Sequence, residues 1–255
     1  VAEARRFVKT LDEAALPRLV AEVAGLAALR AADAIRTPAV IDCAVHAGQA
    51  QLVLEYLDLR PLDRTSGATL GQALAGLHRR LAPRYGWERD NYIGATPQAN
   101  DWHDVWPMFF ARRRLAPQFA LARQNGMERT LVARGEGMLD RLPALFLEYR
   151  PAPSLLHGDL WSGNAGALSD GTPVIFDPAC YYGDRETDIA MAELFGGFPD
   201  TFYAAYRAAW PLDPGYETRK TLYNLYHILN HFNLFGGAYL GQARRMIERL
   251  RSELG

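Results

Sequence analysis

The chain has 255 residues, with 28 Lys and Arg against 29 Asp and Glu, a formal charge of −1. That length supports one large domain or two lobes sharing an interface, with a sizeable core. A near-neutral balance supplies no long-range attraction to nucleic acid or to an anionic membrane surface, and no apolar run approaches the roughly 20 residues that span a bilayer, so neither partner is expected. The two cysteines, Cys43 and Cys180, lack the spacing of a metal site or a disulfide framework. With no signal peptide visible at the start, a reducing cytoplasm is the expected setting.

In chain order, RRFVKT reads as the end of a strand and AALPRLVAEVAGLAALRAADA as a helix with apolar residues at helical spacing. TPAVIDCAV and QAQLVLEYLDL are β-type runs separated by His46, Ala47 and Gly48, and read as an antiparallel pair. Gly67 to Leu81 has helical periodicity, after which APRYGWERDNYIGATPQANDW reads as a long ordered loop. Helical patterns return in WPMFFARRRLAPQFALARQ and ERTLVARGEGMLDRLPALF. Two short apolar runs follow, in LLHGDLWSGN and VIFDPACYYGDRETD, with the hairpin turn LSDGTP between them. Beyond Asp184 everything reads as helix, including one long segment from about Glu217 to Leu250. The pattern predicts an α+β fold of two lobes, with a small antiparallel-sheet N-terminal lobe over residues 1–57 and a mainly helical C-terminal lobe over residues 58–255.

The chemistry concentrates in those two short runs. Asp159 and Asn164 stand five residues apart in the loop after Leu155 and Leu156, and Asp177 ends the run Val174, Ile175, Phe176. A carboxylate and an amide oxygen at that spacing suit phosphoryl transfer, in which Asp159 orients the attacking hydroxyl while Asn164 and Asp177 offer oxygens to Mg²⁺. Each residue taken alone also fits an ordinary turn or cap. Lys9 in the first strand and Glu22 in the following helix are spaced for a phosphate-binding cation and the anion that holds it, although either also fits a solvated surface position. The run LVLEYLDL fits a linker whose backbone at Glu55, Tyr56 and Leu57 pairs with adenine, and equally an ordinary buried strand. His157 fits hydrogen-bonded support of the catalytic loop.

These residues resemble the fructosamine kinase (ketosamine 3-kinase) family, a branch of the protein-kinase-like fold that also includes aminoglycoside phosphotransferases and choline kinases. The resemblance rests on HGDLWSGN, FDPACYYGDRETDIAMAELFGGF and YNLYHILNHFNLFGGAYL, and runs from Phe7 to about Ala243. It implies ATP and Mg²⁺ as cofactors, Asp159 as catalytic base, Asn164 and Asp177 as metal ligands, Lys9 and Glu22 as the phosphate-side pair, and Asp188 as the buttress of the catalytic loop. It also implies a ketosamine acceptor, free or protein-attached, phosphorylated on its C3 hydroxyl. Trp161, His231, Asp184 and Glu186 are the candidate acceptor contacts, the two carboxylates by attraction to the acceptor amine. Trp161 equally fits packing beneath its loop. The polar set Asn224, His227, Asn230, His231 and Asn233 fits either a sugar pocket or a packed helix. The family carries a glycine-containing hairpin before the lysine strand; the sequence given starts after that point, and the hairpin is expected in the natural protein. Two alternatives stay open: an aminoglycoside- or choline-type phosphotransferase, and a nucleotide-binding pseudokinase.

Overall fold

A computed structural model of the chain describes residues 5–255, so the first four residues of the expected N-terminal lobe lie outside the described residues. The first unit is β1 (Arg6–Asp12), α1 (Leu16–Ala32), β2 (Val40–His46) and β3 (Gln49–Glu55). The three strands form one antiparallel sheet in the order β1-β3-β2. Strand β3 alternates as a half-buried strand must: Ala50, Leu52 and Leu54 face inward and pack with Leu19 and Leu26 of α1 in a small core of their own. The turn between β2 and β3 places Ala47 and Gly48 at φ 49° and 77°, the geometry that matches the twist of a two-residue hairpin.

Helix α2 spans Arg64–His78, three residues earlier at both ends than its periodicity predicts. Asp63 sets the start through a capping box, accepting from the Thr65 and Ser66 amides while the Ser66 hydroxyl accepts from the Asp63 amide. At the other end Leu81 leaves the helix to bridge Ser154. The long loop that follows is ordered as expected, and it contains a hairpin of β4 (Asn91–Ile93) and β5 (Thr96–Gln98) turned at Gly94 with φ 59°.

Next come α3 (Trp106–Phe109), a π-helical turn over Phe110–Leu115, α4 (Ala116–Gln124) and α5 (Arg129–Glu136). The π turn has a sequence cause. Pro117 has no amide proton to donate, and the Ala116 amide reaches back five residues to the Ala111 carbonyl. Four short strands then form two antiparallel pairs, β6 (Ser154–Leu156) with β9 (Tyr181–Gly183) and β7 (Ala165–Ala167) with β8 (Pro173–Ile175). The hairpin of β7 and β8 touches both flanks of the sheet unit: Arg60 exchanges two backbone bonds with Ala167, and the Ile175 amide donates to the Arg36 carbonyl.

The remainder is helical: α6 (Glu186–Leu194), α7 (Asp200–Ala209), α8 (Tyr216–Phe235) and α9 (Leu240–Leu254). The single long helix expected from Glu217 to Leu250 is therefore two. Gly236 adopts φ 86° and ψ −157°, open only to glycine, and turns the chain between them. No helix among the described residues is long and apolar enough to cross a membrane.

Helices α2 and α7 approach closely at Gly71, where an added Cβ would lie 2.2 Å from the Phe202 carbonyl oxygen. Gly71→Ala forces backbone apart rather than a flexible side chain. It is expected to destabilise the protein by about 2–3 kcal/mol, read as a fall of several degrees in Tm by thermal unfolding.

Candidate active site

The two short strand pairs deliver their loops to the face of the sheet unit. β6 leads into His157, Gly158 and Asp159, and β8 leads into Phe176 and Asp177. Asp188, in the first turn of α6, accepts from the His157 amide at 2.8 Å with one oxygen and from the Gly158 amide at 2.9 Å with the other. His78 of α2 adds a third bond at 3.1 Å, its other ring nitrogen lying 2.8 Å from the Tyr206 hydroxyl. Burial alone would raise the Asp188 pKa, but His78, His157 and the Gly158 amide together hold it below the ordinary carboxylate value. Gly158 takes φ 82° and passes so near the Ala179 carbonyl that a Cβ would lie 2.1 Å from it, so only glycine fits the turn.

His157 is fully buried, with Nε2 donating to the Phe176 carbonyl at 3.0 Å and Nδ1 accepting from the Asp159 amide at 3.3 Å. Burial lowers its pKa, so the ring is neutral and serves as a strut between the two loops. Asn164 donates from Nδ2 to the Asp159 carbonyl at 2.9 Å and to Asp159 Oδ2 at 3.2 Å, which leaves its own carbonyl oxygen uncommitted. Desolvation, then the neighbouring Asp177 charge, push the Asp159 pKa up to about 7.

Asp177 takes φ 56°, a costly conformation for a residue with a Cβ, and its side chain is about half exposed. Lys9 reaches it from β1 at 2.8 Å and reaches Glu22 of α1 at 2.7 Å. Burial opposes the charge on Lys9, but the two carboxylates outweigh it and raise its pKa. Glu22 is buried, and desolvation with the Asp177 charge raises its pKa against the pull of Lys9. Lys9 therefore joins the sheet, the helix and the metal-candidate loop through one ammonium group.

Two cavities meet at this group. The larger, about 360 Å³, has apolar walls including Phe7, Leu54, Leu57 and Phe176 and ends at Lys9, Asn164 and Asp177. Glu55, Tyr56 and Leu57 also line it. The Glu55 side chain is committed elsewhere, to Arg36 at 2.5 Å and the Ala39 amide at 3.0 Å, which fixes the strand exit beside the cavity. The donor set suits a hard divalent cation, because Asn164, whose side-chain oxygen is uncommitted, and Asp177, with its half-exposed carboxylate, both line this cavity. The smaller cavity, about 200 Å³, holds Asp159 with Arg18, Asn91 and Tyr92.

Of the candidate acceptor contacts, Trp161 and His231 belong to one aromatic wall that starts at the loop carrying Asp159. Trp161 meets Phe195 edge-on at 6.3 Å between ring centroids, Phe195 lies 4.7 Å from His231, and Tyr239 closes the row 5.1 Å from His231. Asp184 and Glu186 are not at the cleft, and their expected role at the acceptor amine is corrected. Both are fully buried. Asp184 accepts from Tyr149, Tyr223 and the Glu186 amide, and Glu186 is held by Arg219 at 2.8 Å. A neighbouring charge in sequence cannot reveal that its helix turns it into the core. Of the polar set on α8, Asn230 and Asn233 bond Gln118 and join α8 to α4.

Sequence reasoning missed His78 and Arg36. His78 ends an ordinary amphipathic helix and carries no local signal, since its partner lies 110 positions away.

A two-lobed arrangement of this kind, with a lysine strand, a catalytic loop and a carboxylate after a second short strand, defines the protein-kinase-like class. The fold is shared with the choline kinase LicA of Streptococcus pneumoniae at a TM-score of 0.64 and 15% identity, over 98% of this chain and 87% of that one. The family model for fructosamine kinase matches residues 1–253, and the chain belongs to that family. It is 47% identical to a probable ketoamine kinase of Synechocystis over 97% of this chain and 83% of the relative. It is 38% identical to the chloroplastic protein-ribulosamine 3-kinase of Arabidopsis thaliana, over 95% and 74% respectively. A Haemophilus somnus crystal structure, named provisionally as a fructosamine-3-kinase, superimposes at a TM-score of 0.87 with 30% identity, over 96% of this chain and 83% of that one.

Asp188→Asn keeps one acceptor oxygen but turns an amide NH₂ toward a backbone donor. The loss is expected to be about 3 kcal/mol, with faster hydrogen exchange at the Gly158 amide. Because the Asp188 pKa is depressed below 3.8, its contribution is full above that value and fades as pH falls through the lower folded pKa. The variant should therefore show a shallower loss of Tm on acidification than the parent protein.

Proposed function

We propose that this protein is an ATP-dependent kinase that phosphorylates the C3 hydroxyl of ketosamines, the rearranged adducts of reducing sugars with amines, and so serves their repair. The observation that carries this reading is the convergence of Lys9, Asp159, Asn164 and Asp177 on one cleft, two of them through loops buttressed by Asp188. Retention of all four argues against a pseudokinase. The family match and the relatives named for ketoamines and ribulosamines support the acceptor class over an aminoglycoside or choline.

In this reading the adenine enters the apolar cavity beside Glu55, Tyr56 and Leu57, and the phosphates run toward Lys9. Mg²⁺, held by Asn164 and Asp177, would neutralise phosphate charge. Asp159 takes the proton of the C3 hydroxyl as its oxygen bonds to the γ-phosphorus and the bond to the bridging oxygen of ADP breaks. A carboxylate raised to about 7 is a better proton acceptor than an ordinary aspartate. Lys9, tied to Glu22, presents its charge to the phosphates without a search of rotamers. Trp161 and His231 supply an aromatic wall for the sugar. Enolisation between C1 and C2 then makes the C3 phosphate an allylic leaving group, and hydrolysis of the eliminated product frees the amine. No protein nucleophile is needed for that release.

Asp159→Asn is expected to lower phosphate transfer by at least about 100-fold while nucleotide binding persists by calorimetry, because the side chain meets the acceptor rather than ATP. Asp177→Ala is expected to abolish transfer with the fold retained by circular dichroism, since the residue is half exposed. Incubation of a ribulosamine or fructosamine with ATP and Mg²⁺ should place phosphate on C3 by NMR, followed by slow release of free amine. Transfer only to an aminoglycoside hydroxyl would reject the reading.

A further inference from the structure

The smaller cavity contains a cation that the chemistry above does not use. Arg18 lies in the first turn of α1, one helical turn before Glu22, and lines that cavity with Asp159, Asn91 and Tyr92. The side chain is half-buried, and its Nε is shielded from solvent without a hydrogen-bond partner. No carboxylate that lines the cavity bonds it: Lys9 pairs with Glu22 and Asp177, and Asn164 donates to Asp159. Among the described residues Arg18 has no ion-pair partner, whereas Arg36 and Arg219 are each held by a carboxylate.

A partly desolvated guanidinium donor without a partner is unfavourable, and its planar fork matches a carboxylate or a phosphate. The nucleotide cavity does not include Arg18, and the two cavities share only Lys9, Glu22 and Asp177. An anion that reaches Arg18 therefore enters on the Asp159 side, where the acceptor hydroxyl must lie. We propose that Arg18 binds an anionic group on the acceptor, either a phosphate ester on the sugar or a carboxylate on the amine-bearing part. This deepens the ketosamine reading and rests on it.

The test uses three acceptors built on one ketose: an adduct with a simple uncharged-tail amine, one whose amine part carries a carboxylate, and one with a phosphate on the terminal sugar hydroxyl. Each is assayed at saturating ATP with the parent protein and with Arg18→Met and Arg18→Lys. The parent is expected to favour one anionic acceptor over the first by about tenfold or more in kcat/KM, the size of a charge-assisted hydrogen bond. Arg18→Met should erase that ratio through KM, Arg18→Lys should keep part of it, and added salt should reduce it. Which anionic acceptor responds identifies the source of the anion. Equal use of the three by the parent, an equal loss for all three in Arg18→Met, or a raised KM for ATP would overturn the proposal while leaving the ketosamine reading intact. Failure to phosphorylate any of the three would overturn both.

Discussion

Everything at the cleft depends on one buried carboxylate. Asp188 accepts two consecutive backbone amides at the start of the loop that carries Asp159 and bonds a ring nitrogen from α2. Those amides lie where water does not reach, so without the carboxylate two donors would be orphaned in the core. The constraint is passed on. His157, fixed by its own amide, bonds the Phe176 carbonyl, and the residue after Phe176 is Asp177. One side chain on α6 thereby sets the backbone that presents Asp159 and the backbone that presents Asp177.

The second link is Lys9, whose ammonium spans the sheet, α1 and the Asp177 loop. Neither carboxylate would be well placed alone: Glu22 is buried and Asp177 holds a strained backbone. Their shared cation offsets both costs and couples the position of the helix to the position of the metal-candidate oxygen. The hairpin of β7 and β8 adds backbone bonds to Arg60 and Arg36, so the region between the lobes is held by main chain as well as by charge.

The long loop is ordered by a different device. Pro117 produces the π turn that carries Arg114, and this residue is fully buried with no carboxylate beside it. Its charge is met by the Ala99 carbonyl, the Asn100 side chain and the face of the Tyr181 ring. Asn100 in turn bonds Asn91, which brings the β4 and β5 hairpin against the cavity that holds Asp159. A helix irregularity far along the chain is thus linked by hydrogen bonds to the lining of the cavity that also contains Arg18.

Local signals reported the elements whose causes are local. Period-two alternation in QAQLVLE marks β3, turn residues at Ala47 and Gly48 mark its hairpin, and the apolar runs before HGD and DPAC mark the short strands. The spacing of Asp159, Asn164 and Asp177 was legible for the same reason, because a loop between two short strands keeps its residues close in space as well as in sequence. The early start of α2 at Asp63 and the break at Gly236 were also written locally, in a cap and a glycine, but they were outweighed by strong helical periodicity around them. Other features had no local cause. Asp184 and Glu186 follow the same motif as the metal-candidate Asp177, yet the fold turns them toward Tyr223 and Arg219, more than 30 positions away. His78, Arg18 and Asn91 acquire their surroundings only when distant segments pack together. The sequence by itself determined which residue types stand within a few positions of each other, and hence the strands, helices and the core of the motif. Tertiary packing alone decided which charges are buried, which are paired and which face the cleft, because burial and pairing depend on partners that folding brings from elsewhere in the chain.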